Sequence, residues 1–253
     1  MYLLFKTDAV VEGVHFTPRE KPALIGRKAL ARALSDLAAM GAAPVAAVVT
    51  LGVAKNESVA RLRGIYRGLE KLAARHGVSL VGGETTRAKE LFLNVALLGE
   101  CRGYAPVLRS GARPGDRIAV TGSLGATRAG KHLRFEPRLA EGQWLARHRF
   151  ATALMDLSDG LGADLPRLAQ ASGVGFALEP EKIPRARGAS LAARDQRRRG
   201  LRVALHRAAR SRGNFEKEVA IRHARAFHWS IGRRGRGARV PSGIYGFDHF
   251  KQH

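Results

Sequence analysis

The sequence is poor in several residue types that define common protein classes. It has a single cysteine, Cys101, among 253 residues, which excludes an intramolecular disulfide and the paired cysteines of a structural zinc site. No apolar run approaches the roughly 20 residues of a membrane-spanning helix, and the N-terminus lacks the apolar core of a signal peptide. We therefore expect a cytoplasmic protein without a membrane partner. Its 45% hydrophobic content is enough for one large or two medium domains.

Acidic residues are scarce, with 21 Asp and Glu against 44 Lys and Arg and a net charge of +23. The imbalance is concentrated after residue 184, where 18 basic residues face 4 acidic ones and the periodic apolar pattern is lost. A basic nucleic-acid-binding protein is one hypothesis. It predicts aromatic side chains interleaved with the basic ones, and Phe215, Phe227 and Trp229 are too few and too irregular. Nucleic acid is therefore disfavoured as a partner.

The first 184 residues show alternating strand and helix patterns, which are typical of an α/β protein. The predicted strands are Leu3–Asp8, Val45–Leu51, Val78–Val81, Leu91–Leu98 and Arg117–Thr121, and the predicted helices are Lys21–Met40, Ser58–His76 and Leu161–Ser172. Gly77 is expected to cap the second helix.

Isolated carboxylates recur in small-residue surroundings. Asp36 lies in an apolar helix, so it faces either solvent or a cation, because an unpaired buried charge costs several kcal/mol. Asp8, Glu84, Asp156 and Asp159 have similar settings, and together they suggest a magnesium cluster. Each also has a simpler interpretation: Asp36 as a solvated helix acid, Glu84 as part of a Gly-Gly turn, and the last two as helix caps.

Five phrases resemble thiamine-monophosphate kinase, a member of the superfamily that includes aminoimidazole ribonucleotide synthetase and selenophosphate synthetase. They occur in the family's order and spacing and cover roughly Leu3 to Pro184. The phrases are Thr7-Asp8 with Val11 to Phe16, Leu34 to Ala42, Gly82 to Arg87, Arg109 to Asp116, and Asp156 to Leu161. Jointly they form a specific signal, although no single phrase would.

The resemblance implies a two-domain α/β (α+β) fold of the aminoimidazole ribonucleotide synthetase type. Residues 1–104 would form a sheet domain that makes a homodimer, and residues 105–189 an incomplete C-terminal α/β domain. The implied reaction transfers the γ-phosphoryl group of ATP to thiamine monophosphate with Mg²⁺, giving thiamine diphosphate. Another ATP-dependent enzyme of the same superfamily, with a different acceptor, is the alternative.

The resemblance also implies roles for individual residues. The implied magnesium ligands are Asp8, Asp36, Glu84, Asp156 and Asp159; the ATP contacts are Thr7, Tyr66, Gly83, Arg109 and Ser158; the thiamine-phosphate contacts are His15 and Phe247. A lone histidine such as His15 is, by itself, more often structural than functional.

Three departures from the family's pattern argue against full activity. We expect a missing N-terminal segment with a Gly-Asp-Asp motif, Glu84 replaces an aspartate, and the phrase Gly-Glu-Asp-Tyr-Glu-Leu is absent. Permitted codons for Arg194 to Arg207, read from the second base, give Ala-Thr-Asn-Gly-Asp-Gly-Asp-Tyr-Glu-Leu-Leu-Phe-Thr. We therefore predict a frameshift, a basic, disordered or out-of-frame segment at residues 190–239, and a family-like tail at 240–253.

Overall fold

The computed structural model describes residues 1–124, 131–178, 183–184, 201–206 and 224–226. The described residues form both strands and helices, as predicted. The strands are β1 (Tyr2–Val11), β2 (Ala43–Val53), β3 (Ser79–Arg87), β4 (Phe92–Cys101), β5 (Arg117–Thr121), β6 (Ala153–Leu157), β7 (Leu201–His206) and β8 (Ala224–Ala226). The helices are α1 (Pro22–Ala39), α2 (Val59–His76), α3 (Lys131–Arg134), α4 (Leu139–Arg147) and α5 (Leu161–Ser172). Among the described residues, no helix is both long and apolar enough to cross a membrane.

The first region consists of β1 to β4 with α1 and α2. Its sheet has the order β1-β4-β2-β3; β4 is antiparallel to β1 and β2, and β2 is parallel to β3. Leu30 and Leu34 of α1 and Leu69 of α2 are fully buried in one core with the sheet residues Val49 and Leu93. The helices thus cover one face of this sheet.

Strand β1 carries two charged side chains on the face that contacts the helices. Leu4 and Val10 are buried on the face that contacts the helices, and side chains two residues apart share a face of a strand. Lys6 and Asp8 therefore also face α1, between two core positions. A cation and an acid thus face α1 between two apolar core positions of the strand.

Strand β3 is longer than the sequence predicted. It continues through Gly82 and Gly83 to Arg87, paired with β2, so the turn considered for this Gly-Gly step is wrong. Space requires a glycine at position 83, because a Cβ there would lie 1.9 Å from the carbonyl oxygen of Val49. The close approach of two strands, rather than a bend, explains this residue.

The second region consists of β5 to β8 with α5, and its sheet has the order β6-β7-β5-β8 with antiparallel pairing. Leu157 of β6 packs with Leu165 and Leu168 of α5 in a separate core. Strands β7 and β8 fall within the range 190–239; the rest of that range and the tail 240–253 lie outside the described residues. The predicted disorder and the predicted domain divisions therefore stay predictions.

The segment after β4 joins the two regions through hydrogen bonds to main-chain carbonyls. The Tyr104 hydroxyl donates to the carbonyl of Gly41 at 2.9 Å, and the Val107 amide donates to the carbonyl of Met40 at 3.1 Å. On the other side, the Leu154 amide of β6 donates to the carbonyl of Leu108 at 3.0 Å. The C-terminal end of α1 is thereby held near β6.

Candidate active site

A polar cavity of about 150 Å³ lies where the two regions meet. It has contributions from β1, from α1 and from the second region with the segment that precedes it. Its lining contains three carboxylates, three cations and two hydroxyls: Asp8, Asp36 and Asp156; Lys6, Arg32 and Arg109; Ser35 and Ser158. Their formal charges cancel.

Two crossed ion pairs join β1 to α1 at this cavity. Lys6 Nζ lies 2.9 Å from Asp36 Oδ2, and Arg32 Nε lies 2.7 Å from Asp8 Oδ2. The distances along the two elements match. Lys6 and Asp8 are two residues apart on a strand, which spans about 6.6 Å, and Arg32 and Asp36 are four residues apart on a helix, which rises about 6.0 Å. Of the alternatives for Asp36, solvent or a cation, the structure shows a cation.

The second region brings Asp156 and Ser158 to the cavity from the end of β6. The Asp164 carboxylate fixes this turn by accepting hydrogen bonds from the amides of Ser158, Asp159 and Gly160 at 2.9, 2.9 and 3.1 Å. Helix α5 begins after Gly160, with no side-chain cap. The capping role considered for Asp156 and Asp159 is therefore wrong, and Asp164 satisfies the free amides from inside the helix.

Asp164 is fully buried, and its titration reflects that position. Burial raises the pKa of Asp164 from 3.8 to about 6, and the neighbouring Asp159 acts in the same direction. The hydrogen bonds from the amides and the charge of Arg167 oppose this rise. Arg167 binds Asp164 Oδ1 at 2.9 Å and Asp159 Oδ2 at 2.5 Å, and its own pKa is raised by the hydrogen bond to Asp159.

The cations of the cavity differ in how they are held. Arg32 uses Nε to bind Asp8, but its buried Nη1 atom has no hydrogen-bond partner among the described residues. The carbonyl oxygen of Arg109 accepts a hydrogen bond from the Ser172 hydroxyl at 3.0 Å, which fixes the main chain from which the Arg109 side chain reaches the cavity.

The structure brings five of the sequence-predicted site residues together: Asp8, Asp36, Arg109, Asp156 and Ser158. Asp159 is buried nearby and bound to Arg167. Glu84 is exposed on β3, at the opposite edge of the first sheet from Asp8 on β1. The predicted five-carboxylate cluster is therefore divided, with three members at the cavity.

The remaining predicted residues lie elsewhere. Thr7 is exposed, on the sheet face opposite to that of Asp8. Tyr66 packs against the first core, and burial raises its pKa. Gly83 allows β3 to approach β2 closely, because it has no Cβ.

His15 has a local role in the turn after β1. Its Nδ1 atom accepts a hydrogen bond from the Val11 amide at 3.1 Å, and its carbonyl accepts one from Lys28. These contacts match the structural interpretation of a lone histidine. Phe247 lies outside the described residues.

Sequence reasoning missed Lys6, Arg32 and Ser35 as lining residues. A signal was present for each cation, because Lys6 precedes Asp8 by one strand repeat and Arg32 precedes Asp36 by one helical turn. A carboxylate and a cation at these spacings on adjacent elements predict a crossed pair, once the two elements are known to pack.

The cavity fits magnesium in its chemistry. Carboxylate and hydroxyl oxygens are suitable donors for Mg²⁺, which usually takes one or two carboxylates together with phosphate oxygens and water. In the described part of the chain, no three His, Cys, Asp or Glu side chains form a group that could hold a metal ion. This arrangement suits an ion shared with a phosphate ligand better than one enclosed by protein.

Comparison with known proteins agrees with this fold. Residues 1–101 match the family "AIR synthase related protein, N-terminal domain". Thiamine-monophosphate kinase from Rhodopirellula baltica is 38% identical over 180 residues, covering 70% of this chain and 56% of the relative, and that from Pyrococcus horikoshii is 32% identical, covering 72% and 63%. The chain belongs to the thiamine-monophosphate kinase family. It spans only 56% and 63% of the lengths of these two family members.

Solved structures extend the similarity to both regions. A structure of AaThiL complexed with AMPPCP and TMP has a TM-score of 0.83 and 27% identity, covering 98% of this chain and 87% of that chain. Thiamine monophosphate kinase from Aquifex aeolicus gives a TM-score of 0.80, also at 27% identity, with coverage of 91% and 85%. The α/β fold of the aminoimidazole ribonucleotide synthetase type, which the resemblance implied, is therefore confirmed.

Proposed function

We propose that this chain transfers the γ-phosphoryl group of ATP to the phosphate of thiamine monophosphate, giving thiamine diphosphate and ADP. The observation that carries the proposal is the cavity between the two regions, where Asp8, Asp36 and Asp156 meet Arg109 and Ser158. A related structure binds AMPPCP and TMP, so the same fold accommodates a triphosphate and a second phosphate ligand. We retain the cytoplasm as the proposed compartment.

The proposed roles of the residues follow from the chemistry of joining two phosphates. A phosphate oxygen of the acceptor forms the new P–O bond as the bond to the leaving ADP breaks, so no protein nucleophile is needed. Arg109 would hold phosphate oxygens through a two-point hydrogen bond, and the Ser158 hydroxyl would donate another. One or two of the carboxylates of Asp8, Asp36 and Asp156, together with phosphate oxygens, would hold Mg²⁺, which neutralises phosphate charge when bound.

A homodimer is also part of the proposal, and it is supported by the open face of the first sheet. Leu3 and Phe5 of β1 and Val81 of β3 are 61%, 72% and 64% exposed. Leu4, between the first two, is buried against the helices, so Leu3 and Phe5 face away from them. Exposed apolar side chains along one sheet face are typical of an association surface. Light scattering on the purified chain measures the expected doubled mass.

The reaction is tested by incubating the chain with ATP, Mg²⁺ and thiamine monophosphate and measuring thiamine diphosphate directly by chromatography. We expect product that disappears on chelation of the metal and falls at least about 100-fold in Asp156→Asn, because one charged oxygen donor is lost. Glu90→Gln is the matched control, since Glu90 is exposed and lies outside the cavity lining. It should leave the rate unchanged.

Two results would contradict the proposal. ATP turnover with a different phosphate acceptor, and none with thiamine monophosphate, would favour another enzyme of the same superfamily. Equal rates in Asp156→Asn and in the unmodified chain would show that the cavity takes no part in the reaction.

A further inference from the structure

The two crossed ion pairs occupy two of the carboxylates that the proposed function assigns to metal. Asp36 is bound by Lys6 and Asp8 by Arg32, each through Oδ2. The Arg32–Asp8 pair is largely shielded from water, with exposures of 13% and 15%, and the Lys6–Asp36 pair is partly shielded, with exposures of 38% and 22%. Shielded charges interact more strongly than surface charges, so these cations are competitors for any metal at the same oxygens.

Arg32 also has unused capacity for an anion. The Nη1 atom of Arg32 is buried and has no hydrogen-bond partner among the described residues, and a guanidinium can donate from both sides of its fork. Lys6 lines the cavity with it, as does Arg109. A phosphate group placed there would meet three cations.

From these contacts we propose that Lys6 and Arg32 are built-in counter-ions that exchange partners when metal and polyphosphate bind together. The carboxylates of Asp36 and Asp8 pass to the divalent cation, and the ammonium and guanidinium groups pass to phosphate oxygens. The proposal rests on the proposed function, because that function assigns the metal to these carboxylates. Nothing covalent changes, and every charge keeps an opposite neighbour throughout.

Charge balance explains why the two ligands should bind together. The lining is formally neutral, so a divalent cation alone must displace Lys6 or Arg32 and leave it without an anion. A polyphosphate alone must draw the same cations away from Asp36 or Asp8. Each ligand therefore removes the cost that the other would meet, and thermodynamic linkage makes this coupling reciprocal.

The test measures binding, without turnover, in Lys6→Met and Arg32→Met. Mn²⁺ alone, followed by electron paramagnetic resonance, should bind about 10-fold more tightly to each variant than to the unmodified chain, since one competing cation is gone. Inorganic tripolyphosphate alone, followed by calorimetry, should bind about 10-fold more weakly. Lys71→Met and Arg63→Met are matched controls on the exposed side of α2, and they should change neither affinity.

Tighter Mn²⁺ binding together with weaker tripolyphosphate binding distinguishes the partner exchange from a loss of folding. A misfolded variant would lose both affinities, which would overturn the proposal, as would unchanged Mn²⁺ binding or no Mn²⁺ binding in either variant. Because neither measurement uses thiamine monophosphate, failure of the proposed kinase reaction with intact opposite changes would leave the partner exchange standing. Conversely, turnover without those changes would reject only the exchange.

Discussion

The two regions give their inward-facing acids different partners. In the first region, the carboxylates of Asp8 and Asp36 are bound by side-chain cations on the adjacent element. In the second region, Asp164 accepts hydrogen bonds from three consecutive main-chain amides. Side-chain cations can move to another anion, whereas main-chain amides are fixed by the fold. The comparison indicates an exchangeable side and a rigid side of one cavity.

The two helices of the first region pack closely. Helices α1 and α2 approach backbone to backbone, because a Cβ on Gly26 would lie 1.9 Å from the carbonyl oxygen of Ile65. By contrast, Gly175, in the segment after α5, has nothing within 4 Å of the position that an added Cβ would take. The exchangeable ion pairs are therefore mounted on a helix that cannot shift easily towards its neighbour.

The largest effect is expected from Gly26→Ala. Helix propensity alone would favour alanine by about 1 kcal/mol, but the clash with the main chain of α2 should lower the free energy of unfolding by about 3 kcal/mol. Urea denaturation followed by circular dichroism measures the difference. Gly175→Ala is the matched control and should change the free energy by less than about 0.5 kcal/mol. A stabilising Gly26→Ala would contradict the close helix packing.

A smaller effect is expected from Asp164→Ala, which removes the acceptor of three amides. Leaving buried amides without partners should cost about 2 kcal/mol in the free energy of unfolding. The comparison in the first region is Ser58→Ala, where one hydroxyl accepts from the Arg61 amide at 3.4 Å and the cost should be about 0.5 kcal/mol. Equal costs measured by urea denaturation would show that Asp164 does not hold the turn.

The two regions should respond to acid in opposite directions. The folded pKa of Asp164, about 6, is raised above 3.8, so its contribution to stability is full below pH 3.8 and is lost as pH rises through 6. From pH 7 to pH 5 it should add about 1 kcal/mol. In the first region, burial lowers the pKa of His76; its contribution is present above its ordinary pKa of 6.5 and is lost as pH falls through the folded value.

Urea denaturation at pH 7 and pH 5 separates these contributions. Relative to Asp164→Asn, the unmodified chain should gain about 1 kcal/mol on acidification. Relative to His76→Gln, it should lose stability over the same interval. A loss relative to Asp164→Asn would mean that the amides and Arg167 outweigh burial and hold the carboxylate ionised.

Much of the first region could be predicted from sequence, because its patterns are local. Helix α2 lies within one residue of its predicted start, and Gly77 caps it with a φ of 66° as expected. The length of β3 could not be predicted, since its two glycines fit a turn equally well until their pairing with β2 is known. The same limit applies to β7, whose partners β5 and β6 are distant in sequence.

The same limit applies to the site, because local patterns could be predicted and contacts between distant elements could not. The acids could be identified as unusual residues in apolar surroundings, but their partners depend on which elements pack together. Asp36 and Lys6 are 30 positions apart, and only the packing of α1 on β1 makes them neighbours. Glu84 has a similar sequence context but lies on the far edge of the sheet, because sequence context does not specify strand order.

The most direct measurement is a crystal structure of this chain with Mn²⁺ and AMPPCP, using anomalous scattering to locate the metal. We expect manganese bound to carboxylate oxygens of Asp8, Asp36 or Asp156, with Arg109 on a phosphate oxygen. Lys6 and Arg32 should have left their carboxylates for phosphate. Metal and nucleotide bound away from this cavity would contradict both the site and its proposed function.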